Sequence, residues 1–227
     1  STDTRNTKHK TQNSNKVPQH RLIYLYDALC GWCYGFSPVL QRVHEQYKDT
    51  LQFEVLSGGM MMGARVGSIN EVAPFIKTAY KQVEETTGTK FGEAYIEHIL
   101  KPGTTILSSE LPGIALTVFR HYQPERVFEF AHALQKMHYF DGVDLNLPEN
   151  YRSLAEQFGI PADEYVEALT KEENRYETMQ EFQTVANWGI GGFPTVLLKP
   201  AHDEQYFMIA RGYTPFERLE EVIGKVL

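Results

Sequence analysis

Cysteine is nearly missing from this chain: in 227 residues only Cys30 and Cys33 occur. A structural zinc site needs four N or S ligands. No second Cys pair and no His-x-x-x-His spacing accompanies the first, so the pair does not read as half of a zinc finger and no metal is expected. Long apolar runs are also missing, which excludes a membrane-spanning helix. No charged-then-apolar leader precedes the body of the chain, which points to the cytoplasm, or to the periplasm if a leader was removed before Ser1. Clustered Lys and Arg are absent and the net charge is −7, against the counterion displacement that nucleic-acid binding requires. Internal repeats are lacking. The glycines of Gly189-Ile190-Gly191-Gly192 fit neither a dinucleotide nor a phosphate loop. Residues 1–20 hold one aliphatic side chain, Val17, too little burial to offset ordering entropy, and are expected to form a flexible tail.

What remains is concentrated around the cysteines. Leu22 to Tyr26 is an apolar run of strand length, as expected for a parallel strand buried on both faces. Trp32, Phe36, Val39, Leu40, Val43 and Tyr47 then repeat at helical spacing, with a kink expected at the interior Pro38. The cysteines therefore fall at a helix N-terminus just beyond a strand. Unpaired N–H groups and the helix dipole favour an anion there, and they lower the pKa of a thiol. Cys30 at the cap is expected to be the more exposed and more acidic thiol. Cys33, one turn on, is placed to attack a mixed disulfide on Cys30. A purely structural disulfide is the competing reading, but so short a loop restrains the unfolded chain little.

Leu51 to Leu56 alternates and predicts a second strand. The Gly58-Gly59-Met60-Met61-Met62-Gly63 run follows, read mainly as packing and alternatively as an adaptable binding surface. From about residue 70 to 187 the pattern predicts about six helices, with breaks at Gly88, Pro102-Gly103, Pro112-Gly113, Gly142, Pro148 and Pro161. The strand signal returns at Thr195 to Leu198, opened by Pro194, and at Tyr206 to Ala210. Phe216, Leu219, Val222, Ile223 and Val226 mark a closing amphipathic helix. Four segments result: the tail 1–20, an α/β unit at 21–69, a helical insertion at 70–187, and the rest of the α/β unit at 188–227. The layout is a thioredoxin fold interrupted by a large helical insertion.

Cys30-Gly31-Trp32-Cys33 after an apolar strand, Pro38 five residues past the second cysteine, and Phe193-Pro194-Thr195 before a late strand together resemble the DsbA superfamily. Asp27-Ala28-Leu29-Cys30-Gly31-Trp32-Cys33-Tyr34-Gly35 and the size of the insertion look most like its FrnE-like group of dithiol oxidoreductases. The resemblance spans about residues 21 to 226. It implies that Cys30 is the attacking thiolate, Cys33 the resolving thiol and Pro194 a cis-proline, with Trp32, Phe193 and Pro194 binding substrate. Two features depart from the pattern: Gly-Trp between the cysteines lacks the histidine of DsbA itself, and Phe193 is bulkier than the usual Val or Thr. Asp27 is a candidate proton relay, with capping of the turn as its alternative role.

The function implied is thiol:disulfide oxidoreductase or isomerase, acting on a disulfide-bearing protein or small thiol. No cofactor is expected beyond glutathione as a co-substrate. Two other classes stay open: a glutathione-dependent transferase or isomerase of the kappa or 2-hydroxychromene-2-carboxylate isomerase type, whose members typically carry Ser in place of Cys30, and a non-catalytic thioredoxin-fold binding domain.

Overall fold

The computed structural model describes residues 19–227, so most of the expected tail lies outside the described residues. The first strand, β1, is His20–Tyr26, beginning two residues before the apolar run because its first two positions are only half-buried. It leads into helix α1, Gly31–Tyr47, and strand β2, Leu51–Ser57. After the long middle segment come β5, Thr195–Lys199, β6, Phe207–Arg211, and α10, Phe216–Val226. The sheet order is β2-β1-β5-β6, with β1 parallel to β2, β5 antiparallel to β1 and β6 antiparallel to β5. All four predicted strands share one sheet, and β1 lies inside it.

From Leu22 to Tyr26, β1 is apolar because each face meets a different layer. Leu22, Tyr24 and Tyr26 pack with Cys33, Phe36 and Leu40 of α1 in the main core. Ile23 and Leu25 pack with Leu197 and Val185 on the other side. Pro38 stands exposed inside α1, which continues unbroken to Tyr47.

The middle of the chain is mostly helical but not wholly so. Its elements are β3, Gly67–Ser68, α2, Ile69–Val72, α3, Ile76–Thr87, and α4, Glu93–Tyr95, which continues as a π-helical turn at Ile96–Leu100. Next come β4, Ile106–Leu107, α5, Glu110–Tyr122, α6, Val127–Tyr139, α7, Arg152–Gln157, α8, Ala162–Ala168, and α9, Glu172–Asn187. The β3–β4 ladder corrects the expectation of helix throughout; two paired residues per strand are too short for a period to register. The expected break at Pro112-Gly113 is also corrected, because both residues lie within the first turn of α5. There a proline removes no needed intrahelical donor, and the Gly113 N–H bonds the Ser109 carbonyl at 3.0 Å.

Helix α9 brings the insertion back onto the sheet. Its Glu181 pairs with Arg120 of α5 at 2.8 Å and accepts the Ser57 N–H at 2.9 Å, while Arg120 also donates to the Val55 carbonyl at 2.8 Å. This mostly buried pair satisfies a backbone N–H and a backbone carbonyl of β2, which lies at the edge of the sheet. No described helix is long and apolar enough to cross a membrane.

Candidate active site

The two cysteines emerge where β1 ends. Cys30 is the N-cap of α1, with extended backbone, and its sulfur accepts the Cys33 N–H at 3.3 Å. The Cys30 sulfur thus meets a first-turn N–H that has no intrahelical partner. Both are free thiols. Cys30 keeps 5% of its surface accessible and Cys33 none, and burial pushes the Cys33 thiol well up.

Pro194 lies beside them. The Phe193–Pro194 peptide is cis, and the Cys30 thiol donates to the Phe193 carbonyl at 3.5 Å. The sequence places these residues 163 positions apart; the pairing of β1 with β5 brings them together. Gly58 lies directly under the Phe193 ring, where any Cβ would overlap it.

Asp27 is buried, with both carboxylate oxygens occupied. Oδ1 accepts the Leu29 N–H at 2.9 Å and the Ser109 hydroxyl at 2.9 Å, and Oδ2 accepts the Met60 N–H at 2.9 Å. Burial raises its pKa, opposed by those donors. Its carbonyl accepts the Cys30 N–H at 3.1 Å and the Gln135 amide at 3.4 Å. One residue thus ties the cysteine turn to the methionine loop, to α5 and to α6, an arrangement that fits its capping alternative. Ser109, although placed just before α5, makes no capping bond with its side chain; the hydroxyl is turned to Asp27. Nothing in the local sequence marks Ser109 or Gln135 for this, since their partner is tens of residues away.

A cavity of about 270 Å³ opens beside Cys30. Leu29, Cys30, Gly31 and Trp32 form one wall with Met60, Met61 and Phe193; α3, the segment that follows it, α4 and α6 supply the other through Ile76, Tyr80, Val83, Phe91, Tyr95, His138 and Tyr139. No lining residue is Asp, Glu, Lys or Arg. His138 donates from Nδ1 to the Val143 carbonyl at 3.1 Å, and burial lowers its pKa to about 4, so it too is neutral near pH 7. Met60 and Met61 line the cavity and also pack with the main core, so the packing reading holds. A roomier cavity of about 500 Å³ lies between α1, α6 and α7, lined by Arg126, Glu129, Lys136 and Asp141 among others, but no cysteine borders it. Among the described residues no three His, Cys, Asp or Glu side chains gather as a metal site.

The arrangement has relatives among solved structures. A "putative protein disulfide isomerase" from Nitrosomonas europaea superposes with a TM-score of 0.80 at 28% identity, over 91% of this chain and 97% of that one. Its structural neighbours are thioredoxin-fold oxidoreductases of the DsbA family. The cytosolic disulfide reductase DsbM from Pseudomonas aeruginosa aligns at 22% identity with a TM-score of 0.74, covering 91% of this chain and 98% of DsbM, which has also been solved with glutathione. A 2-hydroxychromene-2-carboxylate isomerase shares the DsbA-type fold at 12% identity and a TM-score of 0.61, over 91% of this chain and 95% of its own. No protein-family model and no curated protein sequence matches the chain.

Proposed function

We propose that the protein catalyses thiol:disulfide exchange on disulfides flanked by bulky apolar groups, with Cys30 as nucleophile and Cys33 as resolving thiol. The observation that carries this reading is the position of the Cys30 sulfur. It sits on a helix N-cap, 3.3 Å from the Cys33 nitrogen and 3.5 Å from the Phe193 carbonyl, at the mouth of an uncharged cavity.

In the exchange, the Cys30 thiolate attacks a substrate disulfide, one substrate thiolate leaves and takes up a proton, and a mixed disulfide remains on Cys30. The Cys33 thiolate then attacks the Cys30 sulfur, releasing the second substrate thiolate and closing the Cys30–Cys33 disulfide. Two electrons pass from the dithiol to the substrate. The reaction is reversible, and its direction follows from the reduction potential of the pair against the surrounding thiols. The backbone at Phe193 serves as the edge along which an extended substrate lies beside the sulfur, and Trp32 and the Phe193 ring flank its apolar group. Asp27 holds the loops that shape this opening.

Glutathione enters as the co-substrate that recycles the pair. It carries two carboxylates, for which the cavity offers no cation, so its place is at the rim and not in the cavity. The glutathione complex of DsbM, a protein of the same fold, makes this the first small thiol to test.

The test is turnover with two disulfides, glutathione disulfide and a neutral aromatic disulfide, coupled to a recycling reductant. Faster turnover of the aromatic one, abolished by Cys30→Ser, is the expected result. Equal or greater preference for glutathione disulfide contradicts the apolar substrate class, and no turnover of either contradicts exchange itself.

A further inference from the structure

Two buried polar atoms near the site lack any hydrogen-bond partner of ordinary geometry, the hydroxyls of Tyr24 and Tyr26. Both belong to β1 and are nearly or wholly inaccessible, at 4% and 0% exposure. A buried hydroxyl without a partner is destabilising, and phenylalanine would fill either position without that penalty. Two such groups on the strand that feeds the cysteines call for a chemical reason.

Position supplies one for Tyr24. Its ring is wedged among Tyr26 at 5.4 Å, Phe128 at 5.8 Å and Phe36 at 6.3 Å between centroids. Phe36 lies one helical turn beyond Cys33 on α1, so the ring sits under the first turn of that helix, in one core cluster with Cys33. The Tyr24 hydroxyl is unpartnered in the core that also holds Cys33; burial drives the Cys33 thiol up, and the Asp27 backbone and the Tyr24 side chain draw it down. Burial also keeps the phenol protonated, well above its ordinary range, so it stays a donor.

The chemistry needs such a donor. Cys33 is fully buried, and a bare thiolate there is costly. Yet it must carry charge whenever it attacks the Cys30 mixed disulfide, and whenever it departs as the Cys30–Cys33 disulfide is opened.

We propose that the Tyr24 hydroxyl donates a hydrogen bond to the Cys33 thiolate as it forms or departs, a role that rests on the dithiol exchange proposed above. In the resolving direction the Cys33 proton is lost to solvent, the Cys33–Cys30 S–S bond forms, the Cys30–substrate S–S bond breaks, and the leaving thiolate is protonated. Tyr24 gives up no proton and gains or loses no electrons. The titratable groups facing Cys33 are Cys30 on its own helix, Tyr24 and Tyr26 from β1, Tyr139 from α6, and Asp27 through its backbone. The Asp27 carboxylate is already taken by three donors, and of the three tyrosines Tyr24 is the one whose ring packs on Phe36, one turn beyond Cys33.

Dithiodipyridine, one equivalent added to the reduced full-length chain, separates the two steps by absorbance. The first thiopyridone is released as Cys30 attacks and the second as Cys33 resolves. Tyr24→Phe is expected to leave the first phase unchanged, to slow the second about tenfold or more, as for loss of a hydrogen bond to a charged group, and to move its pH profile up by roughly one unit. Its thermal midpoint should be equal to or above that of the wild type, and Tyr26→Phe should resolve at nearly the wild-type rate. An unchanged second phase in Tyr24→Phe, or equal slowing of both phases, overturns the role of Tyr24. A wild-type chain that releases a single thiopyridone overturns the exchange reading itself.

Discussion

The two walls of the cavity beside Cys30 are built on different principles. The wall from the thioredoxin half, residues 27 to 33, 58 to 61 and 193 to 194, is held by directional bonds: Asp27 to Leu29, Met60 and Ser109, Cys33 to Cys30, and Cys30 to Phe193. The facing wall, from α3, α4 and α6, is held by packed rings. Phe91 lies 5.0 Å from Tyr34, 5.4 Å from Tyr139 and 5.6 Å from Tyr80 and Tyr95, centroid to centroid. Hydrogen bonds fix a sulfur and its partners to within fractions of an ångström, whereas aromatic packing sets a shape and excludes water. In the exchange proposed above, the first wall carries the reaction and the second selects what reaches it.

Backbone proximity offers the sharpest way to break the second wall. Gly92, at the start of α4, bonds the Tyr139 carbonyl at 2.9 Å, and a Cβ there would run into the Phe140 backbone. Gly92→Ala is expected to lower stability by about 3 kcal/mol or more, since backbone cannot rotate away, with much of the chain unfolded at 37 °C by denaturant titration.

The second wall also carries the acid sensitivity. The folded-state pKa of His138, about 4, lies below its ordinary 6.5. The unfolded chain takes up that proton first, so the stability from a neutral His138 is complete above about pH 6.5 and is lost as pH falls toward 4, by roughly 3 kcal/mol in all. His44 and His132, also lowered by burial, act in the same direction. Asp27 and Glu181, raised by burial, act oppositely and lose stability as pH rises through their folded values. Urea midpoints of wild type and His138→Gln from pH 7 to 4 isolate the histidine: the variant should start lower and fall less.

In the first wall the corresponding change is Gly58→Ala, whose methyl overlaps the Phe193 ring. A ring can move where backbone cannot, so a smaller loss is expected, about 1–3 kcal/mol. Turnover should fall by more than stability explains, because the displaced group neighbours the Cys30 sulfur. Smallest is the rim change Ile76→Asp on a half-buried position. It should raise KM for an aromatic disulfide several-fold and leave kcat nearly unchanged in steady-state assays.

The contrast between walls also separates what could be read in the sequence from what could not. The strands, the helix after the cysteines and the place of Pro194 were legible because period, apolar runs and turn residues act over a few positions. Each of the four expected strands lies within about two residues of its expected bounds. The aromatic wall was not legible as a wall. Tyr95 and Tyr139 sit on separate helices and Phe91 in the segment between α3 and α4, and the local pattern says that they are buried without saying against what. Asp27 showed the same limit, since its Leu29 partner is local while Met60 and Ser109 are brought to it by the fold. The hydroxyl of Tyr24 was hidden because an apolar strand pattern counts tyrosine as a ring.

The central claim is that Cys30 attacks and Cys33, buried behind it, resolves. Cys33→Ser and Cys30→Ser, each incubated with a neutral aromatic disulfide and examined by intact-mass spectrometry, test it directly. The account predicts a stable adduct of one substrate half on Cys33→Ser, mapped to Cys30, and no adduct on Cys30→Ser because the Cys33 sulfur is inaccessible. An adduct on Cys33 in Cys30→Ser, formed as fast as the one on Cys30, would contradict it.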